Sequence, residues 1–150
     1  MQRSSFVFLL LTATDPSLTA NLDELVQLLS PAYLAQSVTV VCTAQDPTFA
    51  IQTGGQRGPI SVYAQDIKDK IIEGLEAEEV NRILRRAAEA AKAAALMAIR
   101  AQAAPNPDEE RQRLLSWCGT AGKPFVRDFI SSHDQNHDAF EEAVARAKAR

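Results

Sequence analysis

The chain has 150 residues, of which 46% are hydrophobic and 23% charged, and its formal net charge is −3. This length is usual for one domain and allows a core without metals or crosslinks, so we expect a single domain. The composition argues against intrinsic disorder. The slight acidic excess gives no overall attraction to nucleic acid or to an anionic membrane, and no membrane partner is expected.

The charged residues are unevenly distributed along the chain. Residues 1–65 contain only six of them, and all the others lie in residues 66–150. A segment with so few charges must be mostly buried or neutral. We therefore expect a β-rich subregion in residues 1–65 and a helical subregion in residues 66–150.

The first residues combine a basic start with an apolar run. Arg3 precedes Phe6–Leu11, which resembles the beginning of a secretory signal. The apolar run has only six residues, and Asp15-Pro16 does not form a small-residue cleavage site. The pattern therefore favours a buried strand over residues 5–13.

Three further segments have the residue types of β-strands. Residues 37–43 are rich in β-branched side chains, while residues 48–53 and 59–64 alternate apolar and polar positions. Residues 17–19 supply capping groups for a predicted helix that extends to Ser30, with Leu22, Leu25, Val26 and Leu29 at helical spacing. The resulting order, β-α-β-β-β, predicts an α+β fold with an N-terminal mixed sheet of about four strands followed by a helical half.

The second half reads as a series of helices. Asp66 can cap the first, and Gly74 can bend or split it. Residues 77–103 form the main prediction, one long alanine-rich helix. Asn106 and Pro107 have the residue types that begin the next helix. Gly119 is predicted to end it, and two short helices follow, from Pro124 and from about Asp134.

The two cysteines give no metal-binding spacing. Cys42 lies in an apolar run and Cys118 follows Trp117, and no second cysteine lies near either in sequence. We interpret both as reduced core thiols, with a disulfide or a reactive thiol as the alternative. Reduced thiols fit a cytoplasmic location, which is the predicted localisation.

His133 and His137 are four residues apart, a spacing that places two imidazoles on one helical face. A metal-dependent enzyme would need a third convergent ligand and usually a glutamate beside the first histidine, whereas Asp134 follows it here. Capping and surface hydrogen bonds are the preferred explanation. No cofactor and no catalytic residue are predicted, and an enzyme is the less favoured class.

The glycine-rich segment Gly54–Gly58 imitates a phosphate-binding loop, but it joins two predicted strands and ends in Gly-Pro. We expect a mobile hairpin tip. The alternative is a projecting loop in which Arg57 touches a partner.

The long helix offers two further candidate surfaces. Arg82, Arg85, Arg86 and Lys92 lie on its polar side and could meet phosphates or an acidic protein, although glutamates dilute the charge. Its many alanines let another surface approach closely, and Leu96, Met97 and Ile99 add apolar contacts on more than one side. Such a helix either lies in a tightly packed bundle, which is the preferred interpretation, or presents a binding or dimerisation face.

Together these features favour a non-catalytic protein that binds another protein or complex, as an accessory or inhibitory factor. The predicted partner-binding residues are Arg57, Arg82, Arg85, Arg86, Lys92 and Met97. A nucleic-acid-associated protein using the basic helix face and a metal-dependent enzyme using His133 and His137 are the alternatives, and a homodimer stays open.

Overall fold

The computed structural model describes residues 20–149, and they form a bundle of helices. The helices are α1 (Leu22–Gln45), α2 (Phe49–Thr53), α3 (Ile60–Ile72), α4 (Ala77–Arg100), α5 (Pro107–Trp117), α6 (Lys123–Gln135) and α7 (His137–Ala149). A π-helical turn, Cys118–Gly122, connects α5 to α6. The predicted α+β fold is therefore wrong.

The central element is α1, which contacts α4 most extensively and also packs against α3, α6 and α7. Its buried residues are Leu25, Val26, Leu29, Ala32, Ala35, Val38, Thr39 and Cys42. They recur every three or four positions along the whole helix, which is the spacing of one helical face. One face of α1 thus contributes to the core of the bundle along the whole length of the helix.

Two hydrophobic clusters share α1. The first surrounds its N-terminal half, where Leu29 belongs to one cluster with Ile67 of α3, Ile83 of α4 and Val144 of α7. The second surrounds its C-terminal half and joins α2, the start of α3, the π-helical turn and α6, with Cys42, Phe49, Tyr63, Cys118 and Val126 as members.

The predicted strand over residues 37–43 is the C-terminal half of α1. The β-branched side chains favour a strand locally, but the helical burial pattern continues through them, so tertiary packing overrides propensity. Pro31 lies inside this helix and does not end it. The Thr39 hydroxyl donates to the Ala35 carbonyl at 2.8 Å within the helix.

The predicted hairpin is also helical. Asp46 accepts hydrogen bonds from the backbone N–H and the hydroxyl of Thr48, at 3.0 and 2.7 Å, so the expected turn leads into α2. Residues 59–64 begin α3 because Ile60, Ala64 and Ile67 continue one buried helical stripe. Within residues 20–149 the only β-type pairing is an isolated bridge between Gly55 and Gly58. The predicted strand over residues 5–13 lies outside the described residues.

The helical half agrees better with the sequence. Gly74, with a φ of 77°, separates α3 from α4, as a glycine in this left-handed region can. Asn106 caps α5 by accepting from the Asp108 N–H at 2.8 Å, and Pro107 begins that helix. Gly119 does not end the helical path, because the π-helical turn carries the chain directly into α6.

Among the described residues, α1 is the one helix that is long and apolar enough to cross a membrane, with a mean hydropathy of 1.4 over its most apolar 18 residues. The core helix of a soluble protein can have the same length and mean hydropathy. Because one whole face of α1 is packed against the other helices, we interpret it as a core helix.

Candidate partner-binding groove

An open groove of about 530 Å³ runs between α1 and α4. We call it the α1–α4 groove. Its walls are Tyr33, Gln36, Ser37, Val40 and Val41 from α1, and Ala88, Ala91, Lys92, Ala95 and Leu96 from α4. Most of the lining is therefore apolar.

The alanines of α4 create this groove. Ala91 and Ala95 are buried where α4 packs on α1, and their small side chains let the two helices approach closely. The neighbouring Ala88 has too little volume to fill the space beside that contact. The alanines stabilise α4, because alanine is the best helix former. Their small side chains also leave open space beside the contact between α1 and α4.

Large apolar side chains at the groove face water. Val40 is 67% exposed and Leu96 is 38% exposed. Exposed apolar residues are ordinary when scattered, but a contiguous set in a concave surface is typical of an interaction site.

The groove contains one charged residue, Lys92. The salt bridges within the described residues include neither Lys92 nor Arg85. Arg85 lies seven residues, close to two full turns, before Lys92 and so on the same side of α4. This side of the helix therefore presents two cations that have no ion-pair partner among the described residues.

The other predicted basic residues are already paired. Arg86 contacts Asp23 of α1 at 2.6 Å, and Arg82 lies 3.6 Å from Glu78. The four basic residues thus do not act as one free patch. Nucleic-acid binding through them stays a prediction.

Met97 is 75% exposed but does not line the groove. Met97 lies five positions after Lys92, which corresponds to about 140° around the helix. Of the predicted partner-binding residues, Lys92 lines the groove. Arg85 lies about two turns before it on the same side of α4, and Met97 lies on another side.

Arg57 belongs to a turn that is held against the bundle. Its guanidinium contacts Asp66 at 2.9 Å and lies 4.0 Å from Asp134, and its backbone N–H donates to the Tyr63 hydroxyl at 3.2 Å. The Tyr63 hydroxyl donates to Asp134 at 3.0 Å. The predicted mobile hairpin tip is therefore wrong, since the turn is anchored to α3 and α6.

Tyr63 is 1% exposed, and this burial raises the pKa of its hydroxyl above 10.0. The neighbouring Asp134 carboxylate acts in the same direction, because it accepts the hydrogen bond of the protonated hydroxyl.

A second cavity, of about 520 Å³, lies between the same turn and α6. Its charged side chains are engaged within the fold. Arg127 donates from Nε to the Gln52 carbonyl at 3.0 Å, and Asp134 accepts from Tyr63. This cavity is a weaker candidate than the groove because it lacks an exposed apolar lining.

The two histidines do not share a helical face. α6 ends at Gln135 and α7 begins at His137. The His133 ring packs between Phe129 and Phe140, with centroid distances of 4.9 and 4.8 Å. Burial lowers the pKa of His133, and the charge of Arg57 adds to this effect. Residues 20–149 contain no group of three His, Cys, Asp or Glu that could hold a metal ion.

Cys42 and Cys118 form a disulfide that joins α1 to the π-helical turn, with 5.6 Å between their Cα atoms. The prediction of two reduced thiols is wrong, because the fold brings together two residues that are distant in sequence. The predicted cytoplasmic location stays a prediction, without the thiol argument that supported it.

Comparisons with protein-family models, with curated proteins and with solved structures give no match to this chain.

Proposed function

We propose that the protein is a non-catalytic binding factor that holds an amphipathic helix of a partner protein in the α1–α4 groove. The observation that carries this proposal is the open, largely apolar groove, which keeps Val40 and Leu96 in contact with water. Covering these side chains would remove apolar surface from water, which is the main favourable term in most protein association. A small accessory or inhibitory factor would act in this way.

The dimensions and side chains of the groove suit a helix. Residues 33–41 of α1 and residues 88–96 of α4 line it, and eight residue steps along a helix span about 12 Å. This length matches two turns of a bound helix. The alanine wall allows the close approach of another helix backbone, and Leu or Met side chains of the partner would fill the space beside Ala88.

The charges select among amphipathic helices. Lys92 in the wall and Arg85, about two turns before it on the same side of α4, have no ion-pair partner in the described part of the chain. Acidic residues on the rim of the incoming helix would complement them. Such charges contribute more to the rate and specificity of association than to affinity. The partner segment is thus a helix with a leucine-like stripe flanked by Asp or Glu.

The proposal is tested with two synthetic helical peptides that share one leucine stripe and differ only in their flanking charges. One carries glutamates and the other carries lysines. Fluorescence anisotropy with the full chain should show tighter binding of the acidic peptide. Higher salt should reduce this preference, because salt screens the exposed charges.

The neighbours Leu96 and Met97 supply matched variants. Leu96→Asp places a charge in the groove and should weaken binding of the acidic peptide by about tenfold or more, which corresponds to about 1.4 kcal/mol. Met97→Asp adds the same charge about 100° away around the helix and should leave the affinity unchanged. Equal effects of the two substitutions, or no binding of either peptide, would contradict the proposal.

A further inference from the structure

The disulfide has features that the groove does not explain. Cys42 is 0% exposed and Cys118 is 2% exposed, and they are separated by 76 positions in the sequence. They are the only two cysteines of the chain. The disulfide therefore links α1 to the π-helical turn inside the second hydrophobic cluster.

We propose that Cys42–Cys118 is a permanent structural disulfide and that the chain folds in an oxidising compartment. Structural disulfides form and persist in such compartments, whereas the reducing pools of the cytosol keep thiols reduced. Any partner of the groove would have to be present in the same compartment.

The position of the sulfur atoms excludes a role in thiol exchange. A disulfide that exchanges electrons with other proteins needs a sulfur that an attacking thiolate can reach. Both sulfur-bearing residues are buried, and their separation differs from the two-residue spacing of redox motifs. The bond is thus part of the core.

The burial also sets the order of events. An oxidant can reach the two thiols only before α1, the π-helical turn and α6 have packed, so oxidation precedes or accompanies closure of this cluster. The oxidant is a protein with an accessible, reactive disulfide. One cysteine thiolate attacks that disulfide to form a mixed disulfide, and the second thiolate then displaces the oxidant. The Sγ–Sγ bond forms, two electrons pass to the oxidant, and the oxidant leaves as a dithiol that carries the two protons.

The test measures the thiols in the source cell. Cells are quenched with acid, the denatured proteins are labelled with a polyethylene-glycol maleimide, and the full chain is detected by immunoblot. The proposal predicts no mass shift before reduction and a shift of two labels after reduction. A Cys42→Ser variant should show one label without reduction, which verifies the labelling.

Two labels on the unreduced wild type would overturn the proposal, and so would one label, because the two cysteines would then not pair with each other. Fractionation of the same cells completes the test. A fully oxidised chain that is found in the cytosolic fraction would overturn the assigned compartment.

Reduction kinetics test the structural role separately. Millimolar dithiothreitol should leave the native protein unlabelled and should reduce it rapidly in denaturant. Equal rates in both conditions would contradict a buried structural bond. None of these results depends on the groove, so they are independent of peptide binding.

Discussion

The two sides of the C-terminal half of α1 differ sharply. On one side, Val38 and Cys42 are buried in the second hydrophobic cluster, which the disulfide closes. On the other side, Val40 and Val41 line the α1–α4 groove, which is open to water. The same β-branched segment thus contributes to the buried core on one side and to the open groove on the other. Apolar residues of one helix therefore have different roles, and the elements that pack around each residue determine its role.

The largest effect on stability should come from the Cys42–Cys118 disulfide on the buried side of α1. Replacing both cysteines, as Cys42→Ala/Cys118→Ala, should lower the free energy of unfolding by about 4 kcal/mol, because the unfolded chain regains the entropy of a long closed loop. Denaturant unfolding measures this change. The reduced wild type should lose a similar amount, and the double variant should not respond to reductant. A variant as stable as the oxidised wild type would show that packing alone seals this side.

A smaller loss is expected at Gly55, where the anchored turn meets the same cluster. A Cβ atom there would lie 2.2 Å from Ile130 Cγ2 and 2.4 Å from the Tyr63 hydroxyl oxygen. Gly55→Ala should therefore destabilise the fold by about 2 kcal/mol, as overpacking does. Gly119→Ala is the matched control, because a Cβ atom added at Gly119 would meet nothing within 4 Å. Equal thermal unfolding of both variants would contradict the close packing of this turn.

Removing the hydroxyl in Tyr63→Phe should cost about 1 kcal/mol, since the Asp134 carboxylate and the Arg57 N–H lose a hydrogen-bond partner. Unfolding in denaturant at neutral pH measures this loss. An unchanged free energy of unfolding would indicate that water replaces the Tyr63 hydroxyl as the hydrogen-bond partner of Asp134 and Arg57 at no cost.

The same residue should give a pH signature. Its folded pKa lies above the unfolded value of about 10, so its stabilising contribution is complete below pH 10 and is lost as the pH rises through the folded pKa. Wild-type stability should fall above about pH 10, and the Tyr63→Phe variant should show a smaller fall. Identical profiles would exclude Tyr63 as the group responsible.

The smallest effect is expected on the open side. Val40→Ser should change the free energy of unfolding by no more than about 0.5 kcal/mol, because the Val40 side chain is 67% exposed and holds no core position. Thermal unfolding checks this result. A loss comparable to that of Gly55→Ala would mean that the groove residues serve stability and that the contrast between the two sides is false.

The helical half could be predicted largely from local signals. The alanine-rich sequence of α4 and the Asn106-Pro107 start of α5 act through propensity and capping, which are local properties. The β-branched run in α1 could not be assigned by the same means. The signal that could have revealed α1 is the spacing of its apolar residues at three and four positions, which continues through Pro31.

The groove was only partly predictable. Lys92 is among the predicted partner-binding residues, but Val40 and Leu96 are not. Their exposure depends on how α1 and α4 pack, and no local pattern encodes this packing. The disulfide has the same origin, because only the fold brings Cys42 to Cys118.

Amide chemical-shift mapping by nuclear magnetic resonance locates the surface that binds the peptide. Titrating the labelled full chain with the acidic amphipathic peptide should shift the amides of residues 33–41 and 88–96, which line the groove. The amides around Cys118 and Gly55 should move little. Shifts that centre on Met97, on the Gly54–Gly58 turn or on no single surface would contradict binding in the α1–α4 groove.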